Sequence, residues 1–319
     1  MSLITVVIPN YKGIEYLNPC LEALYAQRTG TPDFEILVVD NASADGSIER
    51  AKELYEVKVQ KRAEAVDATA GYVPSTRFLC LDRNTGFCHA VNVGIENSDS
   101  PYVILLNNDT KVSEEFVGNL YKAIRRDKRI FSVSAQMLMW DYPALLDDAG
   151  DRYNVLGWAY AVGKGQAAAL YDRPKHIFSA CGGAAIYRRS ILERIGLFDE
   201  LHFAYLEDLD IGYRARIYGY KNVYEPSAKV LHYGSASSGS RYNEFKTKLA
   251  SANNIYVIYK NMPVAQILMN LPFLTFGFLI KWLFFVKKGM GGTYLRGLAE
   301  GLSRCVSPEG KANKVKFQR

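Results

Sequence analysis

The sequence predicts an α/β fold: a mostly parallel sheet flanked by helices, with membrane-associated helices at the C-terminal end. Three observations predict it. From Leu3 to Arg126, short runs of β-branched and aliphatic residues alternate with segments of helical period. Such alternation implies parallel strands joined by right-handed crossovers. Two of these strands end at acidic turns, Asp40 and Asp109, and open parallel sheets hold ligands beyond the carboxyl ends of their strands. Last, a long apolar stretch runs into a basic tail. The chain therefore divides into an α/β body, residues 1–260, and an amphipathic, apolar and basic helical tail, residues 261–319.

Leu3-Ile-Thr-Val-Val-Ile8 is short, β-branched and stopped by Pro9-Asn10, the pattern of a fully buried strand. Tyr16 to Gln27 carries apolar residues at helical spacing. Phe34-Glu-Ile-Leu-Val-Val39 is a second buried strand, ending at Asp40. Asn41-Ala-Ser-Ala-Asp-Gly46 is turn chemistry with capping residues, and a helix follows through about Tyr55. Val57 to Thr76 is polar, alanine-rich and without clear period, and reads as a variable insertion. Arg77 to Leu81 is a third strand, Gly86 to Asn97 a helix, Tyr102 to Leu106 a fourth strand and Glu114 to Arg126 an amphipathic helix.

The second half is less regular. Ile130 to Met139 reads as a strand, and Trp140 to Pro174, rich in Gly, Tyr and Asp, as loops with short strands. Cys181 to Tyr187 is a strand that opens on a glycine turn, Arg189 to Ile195 a short helix, Asp208 to Tyr218 a helix, Val230 to His232 a short strand, and Phe245 to Tyr259 a helix. Val264 to Val286 is long enough for a bilayer, which takes roughly 20 apolar residues. Pro272 divides it and Gln266, Asn270 and Lys281 interrupt it, while Trp282 and Lys287-Lys288 suit an interface. One or two helices lying in the membrane interface fit this better than a clean span. A buried C-terminal helix pair is the soluble alternative.

Charge points the same way. The chain carries +6 overall. From Lys281 onward nine basic residues face only Glu300 and Glu309, so the tail holds +7 and the rest sums to −1. A basic tail on a near-neutral body suggests an anionic surface as partner. The tail has no recognisable nucleic-acid motif and adjoins an aromatic-rich apolar segment, so a membrane is expected and nucleic acid is not. The five cysteines are odd in number and lack CxxC spacing, which argues against a disulfide framework and a cysteine zinc site and favours a reducing compartment. The run Leu3 to Pro9 is too short for a signal peptide and has no basic flank.

Four positions could carry chemistry. Asp109 closes Asn107-Asn108-Asp109 after a wholly apolar strand. A carboxylate there can hold a hard divalent cation that bridges nucleotide phosphates, or simply cap the next helix. Asp40 can accept a hydrogen bond from a base N–H such as the N3 edge of uracil or thymine, or close a turn. Glu207-Asp208 stands ahead of a helix, where acids are favoured by the macrodipole. Asp208 there can also deprotonate a hydroxyl nucleophile. His232 is one of four histidines, ends a strand before Gly234 to Gly239, and is a fair manganese ligand or a structural histidine.

In this order and spacing the chain resembles the family 2 inverting glycosyltransferases of GT-A fold. The resemblance rests on Val7-Ile-Pro-Asn-Tyr11, Val38 to Ser47, Asn84-Thr-Gly-Phe87 with Asn92-Val-Gly94, Leu106-Asn-Asn-Asp-Thr110, Gly182-Gly-Ala-Ala185 before Phe198-Asp199, and Leu206-Glu-Asp-Leu-Asp210 with Arg214. It covers roughly residues 3–260. Within the family it is most similar to rhamnosyltransferase-type enzymes of bacterial surface polysaccharide synthesis, which often carry a stretch like Val264 to Val286 and a segment like Tyr294 to Leu298.

The resemblance implies a Rossmann-like nucleotide-diphospho-sugar transferase. Pro9, Asn10 and Tyr11 would line the nucleotide pocket, Asp40 would bind the base, and Asn84, Gly86 and Asn92 would lie close by. Asn107, Asn108 and Asp109 match the DxD motif, with Asn107 in place of its first Asp; Asp109 would ligate Mn2+ or Mg2+, and His232 would complete the metal site. Gly182 and Gly183 would shape the donor and acceptor pockets, Glu207 would contact the donor, and Asp208 would be the base. The implied reaction is metal-dependent, inverting transfer of a sugar, rhamnose at the family level. It runs from a nucleoside-diphosphate donor (UDP or dTDP favoured) to a saccharide or lipid-linked acceptor. The implied location is the cytoplasmic face of the membrane, as a peripheral or monotopic protein. A catalytically inactive nucleotide-sugar-binding or scaffold protein is the alternative, and Asn107 is its only support.

Overall fold

A computed structural model describes residues 2–28, 30–64, 73–234 and 242–317. Four parallel strands form its centre: β1 (Ile4–Asn10), β2 (Phe34–Asp40), β3 (Thr76–Cys80) and β4 (Tyr102–Leu106), in the order β4-β1-β2-β3. Helices α1 (Leu17–Tyr25), α2 (Ser47–Glu64) and α3 (Phe87–Glu96) make the crossovers. β5 (Thr110–Val112) and α4 (Phe116–Ile124) follow, then β6 (Ile130–Met139) and the short strands β7 (Leu146–Asp148), β8 (Asp151–Tyr153), β9 (Ala159–Ala161) and β10 (Lys175–Ile177). β11 (Ala184–Arg188) runs antiparallel between β4 and β6. α5 (Arg189–Ile195), α6 (Glu207–Ile217) and β12 (Lys221–His232) complete the α/β body, and α7 (Glu244–Asn261), α8 (Val264–Lys287), α9 (Gly291–Val306) and α10 (Pro308–Ala312) finish the chain. Among the described residues the main sheet has ten strands, ordered β10-β12-β6-β11-β4-β1-β2-β3, with β5 on β12 and β7 on β6.

Burial on both faces explains the unbroken apolar strands. Ile4, Val6 and Ile8 of β1 pack with Ile36, Val38 and Ile104 against Leu21 and Leu24 of α1 and Leu120 of α4. The intervening Val7 joins Leu37, Val39 and Leu105 on the opposite face, against Val91 and Ile95 of α3 and Leu192 of α5. Strand alternation thus feeds two cores at once.

Three elements differ from the sequence reading. α2 runs past Tyr55 to Glu64. Only its first turns bury side chains, namely Ser47, Ile48 and Ala51, so the rest has no apolar period to betray it. Residues 65–72 of the expected insertion, and 235–241 of the turn after His232, lie outside the described residues. β12 begins at Lys221, well before Val230. Its register against β6 shifts between Glu225 and Lys229, where Pro226 lacks a ladder donor, as prolines at strand irregularities do. Pro272 does not divide α8, which is continuous from Val264 to Lys287; one missing i→i−4 bond does not end a helix of this length.

α8 buries only Leu274 and Gly277, and touches the body where the Trp158 indole N–H donates to the Gly277 carbonyl at 3.1 Å. α9 packs against both α7 and α8. A Cβ at Gly297 would stand 1.9 Å from Ser251 Oγ, and one at Gly301 would stand 2.5 Å from the Ala252 carbonyl oxygen, so glycine is what lets α7 and α9 meet. Arg304 then donates to the Leu201 carbonyl at 2.8 Å and to Asn253 Oδ1 at 2.5 Å, and the Val315 N–H to the Lys260 carbonyl at 3.0 Å.

Candidate active site

The carboxyl ends of β1, β2 and β4 share one edge of the sheet with the start of β11 and the end of β12. A cavity of about 880 Å³ opens there. Its floor is knitted by Asn10 at the end of β1. The Asn10 amide donates to Asp40 Oδ1 at 2.7 Å and to Ser47 Oγ at 2.9 Å, and its Oδ1 accepts from Asn108 Nδ2 at 2.7 Å. One side chain therefore ties the turn after β2 to the Asn107–Asp109 loop. The Asn107 N–H donates to the Gly183 carbonyl at 2.9 Å, and the Gly182 N–H points at Asp208 Oδ2 at 3.4 Å. The glycine pair so links the two acidic halves of the site.

The first half holds Asp109 and His232. β12 pairs with β5, setting His232 opposite Thr110, and His232 Nε2 lies 3.4 Å from Asp109 Oδ1. On its other side, His232 Nδ1 is 2.7 Å from Asp147 Oδ2, and Asp147 is itself paired with Lys164. Burial works against a protonated imidazole, but the two flanking carboxylates outweigh it and push His232 up to about 9.

The second half holds Glu207 and Asp208 in the first turn of α6. Burial raises Asp208 above the ordinary carboxylate value, against the pull of the Leu209 and Gly182 N–H groups. Burial, reinforced by the charge of Asp208, pushes Glu207 up to about 8. Glu207 Oε2 is buried and without a hydrogen-bond partner among the described residues, an expensive condition unless a ligand completes it. Two further acids face this half, Asp148 buried and Asp151 half-buried. Burial, together with the charges of Asp208 and Asp147, pushes Asp148 up to about 7. Asp151 is raised by burial and by Asp208 and Asp148.

α6 is held rigidly. Asp210 accepts from Lys260 at 2.9 Å, from Asn261 at 2.7 Å and from Arg214 at 3.0 Å, and Lys260 also reaches Asp199 at 2.7 Å. The loop ahead of α6 is strained. Phe203, Tyr205 and Leu206 have φ of 61°, 69° and 64°, a left-handed conformation that bulky residues rarely keep outside functional sites. Gly86 faces this loop: at φ 88°, its Cβ would lie 2.6 Å from the Phe203 carbonyl oxygen, which glycine alone avoids.

The cavity gathers Pro9, Asn10, Tyr11, Asn84, Gly86, Asn107, Asn108, Asp109, Gly182, Gly183, Glu207, Asp208 and His232 of the expected residues. Two stand outside its lining. Asp40 is buried beneath Asn10, where it accepts from the Asn10 amide, the Ser43 N–H and the Ser43 hydroxyl. Asn92 faces away: its amide donates to the Phe198 carbonyl at 2.8 Å while its Oδ1 accepts from the Phe198 N–H at 3.0 Å. Sequence reasoning missed Asn41, which lines the cavity and clamps the loop before α3 through Asn84 Oδ1, the Gly86 carbonyl and the Thr85 N–H. It also missed the aromatic wall of Phe203, Tyr205, Tyr242, Phe245 and Phe285. Sequence reasoning also misses Asp147, Asp148 and Asp151, whose run Asp147-Asp148-Ala-Gly-Asp151 reads locally as a loop.

Comparison with known proteins agrees with this architecture. The family model for glycosyl transferase family 2 matches residues 5–196. Teichoic acid poly(glycerol phosphate) polymerase of Staphylococcus epidermidis is 31% identical over 113 residues, 35% of this chain and 14% of that protein. N-acetylglucosaminyl-diphospho-decaprenol L-rhamnosyltransferase of Mycobacterium tuberculosis is 28% identical over 236 residues, 64% of this chain and 68% of that enzyme. The chain thus matches only a small part of the staphylococcal polymerase's length. Among solved structures, S. aureus TarS residues 1–349 with UDP-GlcNAc superposes with a TM-score of 0.59 at 16% identity, covering 98% of this chain and 84% of that one. The mannosyltransferase PcManGT of Pyrobaculum calidifontis with GDP-Man and Mn2+ gives 0.57 at 15%, covering 98% and 78%. These likenesses establish the GT-A type of fold. With the family model spanning more than half of its residues, the chain belongs to glycosyl transferase family 2.

Proposed function

We propose that this family 2 glycosyltransferase is a metal-dependent, inverting enzyme. It moves a sugar, with rhamnose the first candidate, from a UDP- or dTDP-sugar to a hydroxyl of a saccharide or lipid-linked acceptor. The observation that carries the reading is a single cavity with Asp208 on one wall and Asp109 with His232 on another. In this mechanism Asp208 takes the acceptor hydroxyl proton as that oxygen attacks the anomeric carbon. The bond from that carbon to the diphosphate oxygen breaks, and the nucleoside diphosphate leaves with the bonding pair. The Glu207 oxygen that lacks a partner accepts a sugar hydroxyl. Asn10, Asn41 and Asn84 serve the nucleotide end, with Asp40 behind them as the group for a base N–H.

Asp109 and His232 fit a divalent cation. One hard carboxylate oxygen and one imidazole nitrogen, 3.4 Å apart on the cavity wall, form a donor set suited to Mn2+ or Mg2+. No group of three or more His, Cys, Asp or Glu side chains could hold a metal among the described residues, so the diphosphate and water would supply the other ligands. The bound cation would offset charge on the leaving diphosphate. The Mn2+ and nucleotide-sugar complexes of the structural neighbours support this reading.

The envelope enzymes among the relatives support a role in surface polysaccharide synthesis, and the mycobacterial relative supports rhamnose. α8, at 24 residues the one described helix long and apolar enough to cross a membrane, supports attachment to a membrane, which we place at its cytoplasmic face as peripheral or monotopic. Its exposed Leu268, Met269, Phe273 and Phe276 and the nearby Lys287 and Lys288 suit an anionic lipid surface.

Calorimetric titration of UDP, dTDP and GDP, with and without Mn2+, tests the reading on wild type and Asp109→Ala. Metal-dependent binding of one nucleotide, lost in the variant, is expected. Folded wild-type protein that binds none of them would favour the inactive scaffold.

A further inference from the structure

We infer that Asp147 is the positioning residue of the cation-binding half: it holds the His232 ring by Nδ1 so that Nε2 faces Asp109. The inference rests on the reading of Asp109 and His232 as the protein's ligands to the cation. Asp147 does not line the cavity. It reaches the histidine from behind, through three adjacent strands. β7 pairs with β6 at Leu146 and Asp148, and β6 pairs with β12 so that Met139 stands opposite His232. Residues 85 apart in sequence are thereby brought to 2.7 Å. The Trp140 N–H donates to the His232 carbonyl at 3.0 Å, fixing the backbone from the same side.

The chemistry is directional. A neutral imidazole has one N–H and one lone pair, whereas an ionised carboxylate only accepts. Without a cation the two carboxylates favour the protonated ring. A bound cation would take the place of the Nε2 proton, and with Asp147 Oδ2 on Nδ1 the remaining N–H belongs at Nδ1, leaving the lone pair at Nε2, 3.4 Å from Asp109 Oδ1. Carboxylates placed behind metal-binding histidines act in this way in general. Asp147 is fixed in turn by Lys164 on its other oxygen. Both the His232 and Asp147 side chains are about 15% exposed or less, so water offers little competition for the bond. Strand alternation sends the next residue, Asp148, to the opposite face, where it feels Asp208. Among the described residues, Asp147 is the one placed to serve His232 from behind.

The test is Mn2+ binding to the full-length protein in saturating UDP and, in parallel, dTDP, followed by the paramagnetic resonance signal of free Mn2+. Wild type is compared with Asp147→Ala, Asp147→Asn, His232→Ala and Asp109→Ala, each checked by thermal melting. Asp147→Ser replaces the alanine variant should that one fail to fold. Asp147→Ala is expected to weaken Mn2+ affinity by about 10–100-fold. Asp147→Asn, whose amide oxygen still accepts from Nδ1–H, is expected to retain most of it. Wild-type affinity in Asp147→Ala, with affinity lost in Asp109→Ala and His232→Ala, would overturn the inference and leave the cation site standing. Equal losses in the Asn and Ala variants would also overturn it, since charge rather than orientation would then be at work. Unchanged affinity in Asp109→Ala and His232→Ala would remove the cation site itself, and this inference with it.

Discussion

Asp208→Asn is the sharpest perturbation of the proposed chemistry, because it changes proton affinity and almost nothing else. Asp208 Oδ1 accepts the Leu209 N–H at 2.7 Å, while the Gly182 N–H contact is long at 3.4 Å. An asparagine oxygen keeps the first, so α6 and the donor pocket are expected to stay intact. Loss of a positioned general base costs about 10²–10⁴-fold, or about 2.7–5.4 kcal/mol of barrier at ~1.36 kcal/mol per tenfold. The assay is release of nucleoside diphosphate from the nucleotide sugar, in the presence of a detergent-solubilised lipid-linked acceptor. Donor binding is measured separately by calorimetry. The same substitution has a second, independent readout. Burial and then the charge of Asp208 hold Glu207 at about 8, above its ordinary 4.5. A carboxyl raised on folding contributes stability at pH below about 4.5 that is lost as the pH climbs through about 8. Removing the Asp208 charge lowers Glu207, so Asp208→Asn should gain melting temperature relative to wild type at pH 8 and little at pH 5. Turnover within tenfold of wild type, in a folded variant that binds donor, would refute the base assignment. An equal melting difference at both pH values would refute the coupling to Glu207.

Other outcomes follow from the packing and the charge. Gly297→Ala drives a methyl into Ser251 Oγ and the Lys248 carbonyl, and is expected to cost about 1–3 kcal/mol as overpacking, read as a lowered melting temperature. Wild-type stability itself should fall between pH 5 and 8, because Asp148, up to about 7, adds to Glu207 in the same direction; a flat profile would show that these acids are not held protonated. Leu268→Glu with Phe276→Glu, both more than half exposed, should abolish flotation with anionic liposomes while leaving nucleotide binding unchanged. Truncation at Pro263 is a poorer test, since it strips α9 from α7 and breaks the Arg304 contacts to Leu201 and Asn253.

Buried strands and turn chemistry were legible because each has a local cause. β1, β2 and β4 are apolar on both faces, and Asp40, Asp109 and Asp208 stand where strands or helices begin or end. What escaped depends on distance in sequence. Asp147 gains its meaning only from β6 and β12 beside it, and the DDAGD run around it reads locally as a loop. Asn92 follows the family spacing, yet its amide is spent on Phe198, a contact no local pattern announces. β12 reaches back from Val230 to Lys221 because its bulge at Pro226 lets pairing with β6 resume at Lys229, a long-range ladder that no local pattern shows. Pro272, read as dividing the apolar stretch, leaves α8 continuous. The aromatic wall joins α7 and α8 to loops far upstream, so no stretch of sequence shows it whole.

Phe285 lines the cavity, while Leu283 and Val286 of the same turn are exposed. One helix therefore touches both reaction chamber and surroundings, and α9 fastens it to the body. On the proposed membrane reading, with α8 resting on lipid, the protein would act as a height gauge. The attacking hydroxyl would have to reach Asp208 from the plane that α8 defines. Acceptors whose growing end stands far above that plane are out of register, whatever their sugar. Selection by reach would then place the enzyme among the earliest additions to a lipid-borne glycan, before the chain outgrows it.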